Sequence, residues 1–171
     1  MRNLLFVPLV IASLAGASAA PMAVSARDQT AIRAFLTRVY SSYKECKASM
    51  AKCADPMDRK SVFTPGTLSL IATNVKLNQG EAGAATGSDP ICGCQDHGTI
   101  KVNSITLTPS ADGRVLVKVR FKNFEPGAAS LVMENTPGGW RVHDVLGESP
   151  SYRGAIIAEN QTLARPATKG R

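Results

Sequence analysis

The chain has 171 residues, a hydrophobic fraction of 44% and a formal net charge of +7 at pH 7. The length suits one domain, since domains commonly hold roughly 100 to 150 residues, and the composition excludes a disordered or fibrous protein. Aromatic residues are only 5% of the chain, so few side chains could stack on bases, and nucleic acid is not an expected partner. The positive charge favours anionic partners instead.

The first residues predict a secretory signal. Arg2 precedes an apolar stretch from Leu4 to Leu14, and small residues follow at Ala17 and Ala19. The stretch is too short to span roughly 30 Å of hydrocarbon as a helix. We therefore expect residues 1–19 to be removed as a signal peptide, which leaves a periplasmic or secreted protein without a stable membrane anchor.

Two helices are predicted at the start of the mature chain. Ser25 and Asp28 resemble a capping box, and apolar residues then recur at helical spacing as far as Cys46. Thr64 before Pro65 is typical of the start of a second, shorter helix. The segment 48–60 is interpreted as a polar connector, and the glycine-rich segment 78–90 as a mobile loop.

The remainder predicts a four-stranded antiparallel meander and a final helix. In the first strand, Ile100 and Val102 would share one face, whereas Ile105 and Leu107 would fall on the other. A bulge near residues 103–104 would bring all four to the core, which predicts a curved sheet. The later strands are expected around residues 115–121, 129–135 and 140–146, and the helix around 150–161. Residues 20–163 are thus interpreted as one α+β domain, with helices packed on the sheet, and residues 164–171 as a basic disordered tail.

Four cysteines predict disulfides, because an even number in an oxidising compartment favours pairing: Cys46, Cys53, Cys92 and Cys94. In an extended segment, Cys92 and Cys94 would point to the same face, and a bond between them would close a tight ring. Two cross-bridges from the first pair to the second are therefore favoured. The local pairing of Cys46 with Cys53 and of Cys92 with Cys94 remains open.

Thiol, carboxylate and imidazole groups occur close together at Cys92, Cys94, Asp96 and His97. Catalysis would need a free thiolate, which disulfide formation removes. The spacing is not a usual zinc pattern, and thiolates in that compartment tend to oxidise first. We therefore expect no metal, no cofactor and no catalytic residue in this segment.

A basic strand face is the first candidate for binding. Lys118, Arg120 and Lys122 alternate along the second strand, and Arg141 is expected on a neighbouring strand. These cations could dock an acidic protein or an anionic polymer, or form an ordinary solvated face.

A pocket in the curved sheet is the second candidate. If Trp140 and Val142 face the core, strict alternation makes Asp144 face it as well and places His143 on the opposite side. Trp140, Asp144 and Asp96 are the residues expected to line such a pocket. A His143–Asp144 acid–base pair is not expected.

Several stretches resemble the DUF3828 family, a group of exported bacterial proteins of uncharacterised function that are often lipoproteins. They are the tyrosines 40 and 43, residues 63–65 with Leu68, the segment Asp-Pro-Ile-Cys-Gly-Cys-Gln-Asp at 89–96, and Gly-Trp-Arg-Val-His-Asp-Val at 139–145. The resemblance covers residues 30–161 and implies an NTF2-like or cystatin-like α+β layout. This chain lacks the lipobox cysteine of the lipoprotein members.

Together these features predict a non-catalytic binding or inhibitor module of the cell envelope, with another envelope or secreted protein as its partner. An immunity protein against a secreted toxin is one version. The alternative is a small-ligand-binding protein or enzyme that uses a pocket in the curved sheet. A deep pocket lined by Trp140 would favour the alternative, and a filled sheet would favour the binding module.

Overall fold

Among the described residues the fold combines four helices with one antiparallel sheet, which confirms the predicted α+β class, although the sequence predicted three of these helices. A computed structural model describes residues 23–44, 59–94, 97–147 and 150–165. The predicted signal peptide, Cys46, Cys53, Asp96 and the tail beyond residue 165 lie outside the described residues. The elements in chain order are α1 Ala26–Ser41, α2 Arg59–Val62, α3 Pro65–Leu77, β1 Lys101–Pro109, β2 Val115–Lys122, β3 Pro126–Thr136, β4 Gly139–Leu146 and α4 Tyr152–Leu163.

Ser25 caps the start of α1 as predicted, and Asp28 bonds its hydroxyl. The Ser25 hydroxyl oxygen accepts the backbone N–H of Asp28 at 3.1 Å, and the hydroxyl donates to the Asp28 carboxylate at 2.6 Å. The helix ends at Ser41, so Tyr43 lies beyond it although its side chain is fully buried. The helix buries one apolar face: Ile32, Phe35, Leu36, Val39 and Tyr40.

The second predicted helix also begins where expected. Thr64 caps α3, Pro65 is its first residue, and the Thr64 hydroxyl oxygen accepts the backbone N–H of Thr67 at 3.4 Å. The short helix α2 was not predicted, because the polar segment before it carries no apolar periodicity.

The sheet has the order β1-β2-β3-β4, with antiparallel neighbours throughout. The predicted bulge in β1 is confirmed by a register shift between Val102 and Ser104. It keeps Val102 opposite Phe121 and Ile105 opposite Val119, on the face that α1 covers. We call this the inner face and its opposite the outer face.

The free edge of β4 is covered by the residues that lead into α3. Phe63 forms a parallel bridge with Val142, and the Thr64 backbone N–H donates to the Val142 carbonyl at 3.0 Å. The Thr67 hydroxyl donates to the carbonyl of His143 at 2.6 Å. Covering an edge in this way removes unpaired strand groups that would otherwise invite aggregation.

The segment 78–90 contains no helix or strand but is fastened to α4, which differs from the predicted mobile loop. Glu159 accepts the backbone N–H groups of Ala84 at 2.9 Å and Ala85 at 3.0 Å. Asn74 of α3 donates to the same carboxylate at 3.1 Å and accepts the hydroxyl of buried Thr86 at 2.9 Å. The hydrogen bond from Ala85, helped by that from Asn74, holds the pKa of Glu159 below its usual range.

Within the described part of the chain, no helix is both long and apolar enough to cross a membrane.

Candidate functional site

The outer face of β2 carries a row of exposed cations. Lys118, Arg120 and Lys122 alternate with buried Val117, Val119 and Phe121, and Lys101 of β1 lies opposite Lys122 in the register. We call Lys101, Lys118, Arg120 and Lys122 the basic stripe. The sequence predicted three of its members, whereas Lys101 required the strand register.

Small side chains flank the basic stripe on both neighbouring strands. Arg120 lies between Ser104 and Ala128, and Lys118 lies between Thr106 and Ser130. The ion pairs formed among the described residues involve Asp112, Arg114, Glu134 and His143, and none of them uses a cation of the stripe. The stripe is therefore an exposed row of positive charge that no side chain of the described residues neutralises.

An exposed aromatic ring lies at one end of the basic stripe. Phe124 follows Lys122 in the β2–β3 loop and is 65% exposed. Its ring lies so close to Gly98 that a Cβ added there would be 3.0 Å from the ring. Asn123 fixes the same contact, because its side-chain oxygen accepts the Gly98 backbone N–H at 2.8 Å. The sequence analysis missed Phe124, although a large aromatic residue in a polar loop before Pro126 was a usable signal.

Arg141 does not join the basic stripe. Its guanidinium lies 5.6 Å from the centre of the Phe35 ring of α1, which is also contacted by Arg38 at 5.8 Å. Because β4 is the last strand, this long side chain reaches around the sheet toward α1. The predicted grouping of Arg141 with Lys118, Arg120 and Lys122 is therefore wrong.

Trp140 stabilises the start of α1. Its side chain is 9% exposed, and its indole N–H donates to the Asp28 carboxylate at 3.1 Å. The hydrogen bonds from Ser25 and from Trp140 lower the pKa of Asp28. One carboxylate therefore accepts hydrogen bonds from both the capping Ser25 hydroxyl and the indole ring, and so holds the ring at the start of α1.

Asp144 lies on the outer side of the sheet, which corrects the predicted pocket. A register shift in the β3–β4 ladder leaves Met133 opposite Val142 but Val132 opposite Asp144, so His143 is the extra residue of a bulge. His143 and Asp144 consequently lie on the same side, and Val145 takes the inner position at 8% exposure. The expectation that they lie on opposite faces is wrong. Val145 breaks the parity of Trp140 and Val142, which was the overlooked signal.

The Asp144 carboxylate supports the backbone at the start of α4. Its Oδ1 accepts the backbone N–H of Val145 at 2.8 Å and that of Arg153 at 2.9 Å. Trp140 and Asp144 therefore line no common pocket, and both have local structural contacts.

The centre of the inner face is filled by side chains, and the clefts between α1 and the strands lie at its margins, one beside Trp140 and another beside Ile105. Five of its central side chains are fully buried: Val117, Val119, Leu131, Met133 and Val142. A filled sheet counts against a ligand pocket in the sheet and favours the binding module.

Cys92 and Cys94 are bonded to each other, so the favoured cross-bridges are wrong for this pair. The expectation assumed an extended segment, but the chain turns here: Gly93 has φ of +61°, and its N–H donates to the Asp89 carbonyl at 2.9 Å. The turn brings the two Cα atoms to 5.2 Å, within the range for a disulfide. Neither sulfur supplies the free thiolate that catalysis would need.

The disulfide turn is attached to the end of α1 by two tyrosines. The Tyr40 hydroxyl donates to the Ile91 carbonyl at 2.9 Å, and the Tyr43 hydroxyl donates to the Asp89 carboxylate at 2.6 Å. Burial, with the nearby charge of Asp89, raises the pKa of Tyr40. The ring of His97 packs edge-on against Tyr43 at 5.3 Å. These contacts indicate a structural role for the turn.

A polar cleft of about 380 Å³ lies at the other end of the outer face, between the sheet and the first turns of α3 and α4. Its charged and titratable residues are Arg114, Glu134, His143 and Arg153. Glu134 accepts from Arg114 Nε at 3.2 Å and lies 2.8 Å from His143 Nδ1. Burial and the positive charges of Arg114 and Arg153 lower the pKa of His143. Neutral His143 therefore donates from Nδ1 to Glu134.

Groups of histidine, cysteine and carboxylate residues arranged to hold a metal ion are absent from the described residues.

Comparison with known proteins gives a partial likeness and no family. The uncharacterized protein YqhG of Escherichia coli (strain K12) is 32% identical over 85 residues, which cover 47% of this chain and 28% of that protein. No protein family model and no solved structure matches the chain. The resemblance to DUF3828 and the NTF2-like or cystatin-like layout therefore stay predictions.

Proposed function

We propose that this protein is an exported, non-catalytic binding module that docks an acidic protein of the envelope or of the secreted fraction. An inhibitor or immunity protein is the version that we favour. The observation that carries the proposal is the basic stripe, an exposed row of cations without carboxylate partners among the described residues. Such a row speeds encounter with an acidic surface and fixes the register of docking.

Phe124 supplies an apolar contact for the partner, which the cations lack. Exposed charge pairs contribute little affinity by themselves, whereas a large aromatic side chain that enters a partner's pocket contributes much of the binding energy. Phe124 lies at the same end of the sheet as Lys101 and Lys122, because β1 begins there and β2 ends there. An aromatic anchor beside a row of cations is suited to a partner that presents an apolar pocket bordered by carboxylates.

The basic stripe is also mechanically suited to docking. Three of its cations project from β2, which is paired with a strand on each side, and the residues that alternate with them are buried on the inner face, so the backbone of β2 is firmly held. A partner would therefore order only the long side chains and not the strands, which limits the entropic cost of binding.

A pull-down from envelope and secreted fractions of the source organism tests the proposal, using the chain from residue 20 onward. We expect a stoichiometric acidic protein that is retained at moderate salt, and we expect Lys118→Glu/Arg120→Glu/Lys122→Glu to abolish its capture. The matched control is Lys44→Glu/Lys76→Glu/Arg165→Glu, which makes the same change in net charge at exposed positions elsewhere. Phe124→Ala should weaken the purified complex by roughly tenfold or more.

Two results would contradict the proposal. Capture that is equally sensitive to both triple variants would show attraction by net charge alone. Recovery of nothing but salt-labile polyanions would remove the protein partner altogether. Circular dichroism of each variant confirms that lost capture does not reflect unfolding.

A further inference from the structure

The polar cleft between the outer face, α3 and α4 has the features of a small-anion site that is separate from the basic stripe. Arg153 is its distinctive residue. The ion pairs of the described chain neutralise Arg114 through Asp112 and Glu134, but none of them involves Arg153. A partly buried guanidinium without a carboxylate partner is costly unless something else balances its charge.

Arg153 is held in position by contacts that leave most of its donors unused. Its Nη1 donates to the Thr67 hydroxyl oxygen at 2.8 Å, and its backbone N–H donates to Asp144 at 2.9 Å. Thr67 is fully buried and is itself fixed by donating to the His143 carbonyl at 2.6 Å. Among the described residues the guanidinium has no other hydrogen-bond acceptor. It is therefore held in one orientation, and its remaining N–H donors are available to a ligand in the cleft.

The charges that line the cleft indicate which anion fits. Arg114 is already paired with Asp112 and Glu134, so Arg153 is the lining cation that is left to pair with an anion. One unpaired guanidinium matches a monoanion better than a dianion such as phosphate, which Glu134 would repel. Bidentate pairing with a guanidinium is characteristic of carboxylates.

Gly66 leaves room beside the guanidinium. It lines the cleft in the first turn of α3, and a Cβ at this position would lie 3.8 Å from Arg153 Nη1. A carboxylate paired with Arg153 would fit into this space, which a larger residue at position 66 would narrow. Thr64 also lines the cleft, and its hydroxyl is already hydrogen-bonded to Thr67.

We propose that this cleft binds the carboxylate group of a small monoanionic molecule or of a peptide chain end, with Arg153 as the pairing residue and Thr67 as the residue that positions it. The proposal does not depend on the docking function, because the basic stripe lies at the opposite end of the outer face. Failure of either one leaves the other standing.

Nuclear magnetic resonance titration of the folded chain with N-acetylglycine tests the proposal, with neutral N-acetylglycinamide as the matched probe. We expect saturable shifts of the Gly66 amide and the Arg153 side chain with the acid only. Arg153→Gln should weaken binding by roughly tenfold or more, because a charge-assisted pair is lost. Arg27→Gln, which removes an exposed cation from α1, should not.

Gly66→Ala keeps the test valid if Arg153→Gln fails to fold. The added methyl group meets only ordinary contact distances, so we expect the variant to fold and to bind N-acetylglycine more weakly. Gly147→Ala is its control, because a Cβ there meets nothing within 4 Å. Tighter binding of the free acid of an N-acetylated tripeptide than of N-acetylglycine would assign the site to chain ends, and equal binding would assign it to small carboxylates.

Three results would overturn the proposal. The first is that the neutral amide shifts the same resonances as strongly as the acid does. The second is that Arg153→Gln and Arg27→Gln bind N-acetylglycine equally well. The third is that inorganic phosphate binds through the same residues more tightly than N-acetylglycine, which would refute the assignment to a monoanion.

Discussion

The inner and outer faces of the sheet use alternate residues of the same strands but differ in what covers them. On β2, Val117 and Val119 are fully buried under α1, whereas Lys118 and Arg120 between them are exposed. The inner face is completed by the chain's own helix. The outer face carries charge that the described residues leave without partners at two places, the basic stripe and Arg153. This difference separates the residues that maintain the fold from those available for binding.

The largest expected effect comes from truncating the inner face. Leu131→Ala should lower the free energy of unfolding by about 2 to 5 kcal/mol, because it leaves a cavity among fully buried side chains. Lys118→Ala, on the outer face of the neighbouring strand, should change it by no more than about 0.5 kcal/mol. Urea unfolding of both variants measures the contrast. Similar losses would mean that the stripe serves stability and would break the division between the faces.

A smaller effect is expected where the outer face has a structural task. Asp144→Ala should cost about 0.5 to 2 kcal/mol, because it removes the acceptor for two backbone N–H groups at the β4–α4 connection. Asp144→Asn keeps an acceptor oxygen and should recover much of the loss. We expect neither variant to alter capture of the acidic partner. If Asp144→Asn abolishes capture in a folded protein, Asp144 belongs to the docking surface and is not one of the residues that only maintain the fold.

The smallest effect is a pH dependence from His143. Its pKa in the folded protein is lowered, so the unfolded chain binds more protons between the folded pKa and the ordinary value of about 6.5. Stability should therefore begin to fall as the pH drops below that ordinary value and should stop falling below the folded pKa. Unfolding of the wild type and of His143→Gln across this range isolates the contribution.

A direct measurement of the His143 ring sharpens the same prediction. Arg153→Gln should raise the His143 pKa, because it removes one of the positive charges that lower it. A titration followed by nuclear magnetic resonance reads the ring itself. An unchanged His143 pKa would show that burial and Arg114 set the shift and that Arg153 is not electrostatically coupled to His143.

The sequence predicted features that depend on neighbouring residues. The helix cap at Ser25, the helix start at Thr64 and the bulge after Val102 are confirmed, because hydroxyl caps and apolar parity act over a few residues. The second bulge, at His143, has the same kind of signal in Val145. It was missed because His143 and Asp144 are both polar and do not mark the change of parity, which Val145 alone indicates.

The errors concern features that depend on the path of the chain. The pairing of Cys92 with Cys94 follows from a turn at Gly93 that two tyrosines hold against α1. The position of Arg141 follows from β4 being the last strand, which lets a long side chain reach Phe35. Neither outcome can be inferred from spacing alone.

The amino-acid sequence by itself determined the α+β class, the order of the strands along the chain, and the alternation that exposes Lys118, Arg120 and Lys122. These follow from periodicity, since a strand repeats every two residues and a helix every 3.6. Only the tertiary structure decided that Lys101 joins the basic stripe, that the inner face is filled, and that Arg114, Glu134, His143 and Arg153 form one cleft. Those residues come from the β1–β2 turn, β3, β4 and α4, and their side chains meet because strand pairing and helix packing bring them together.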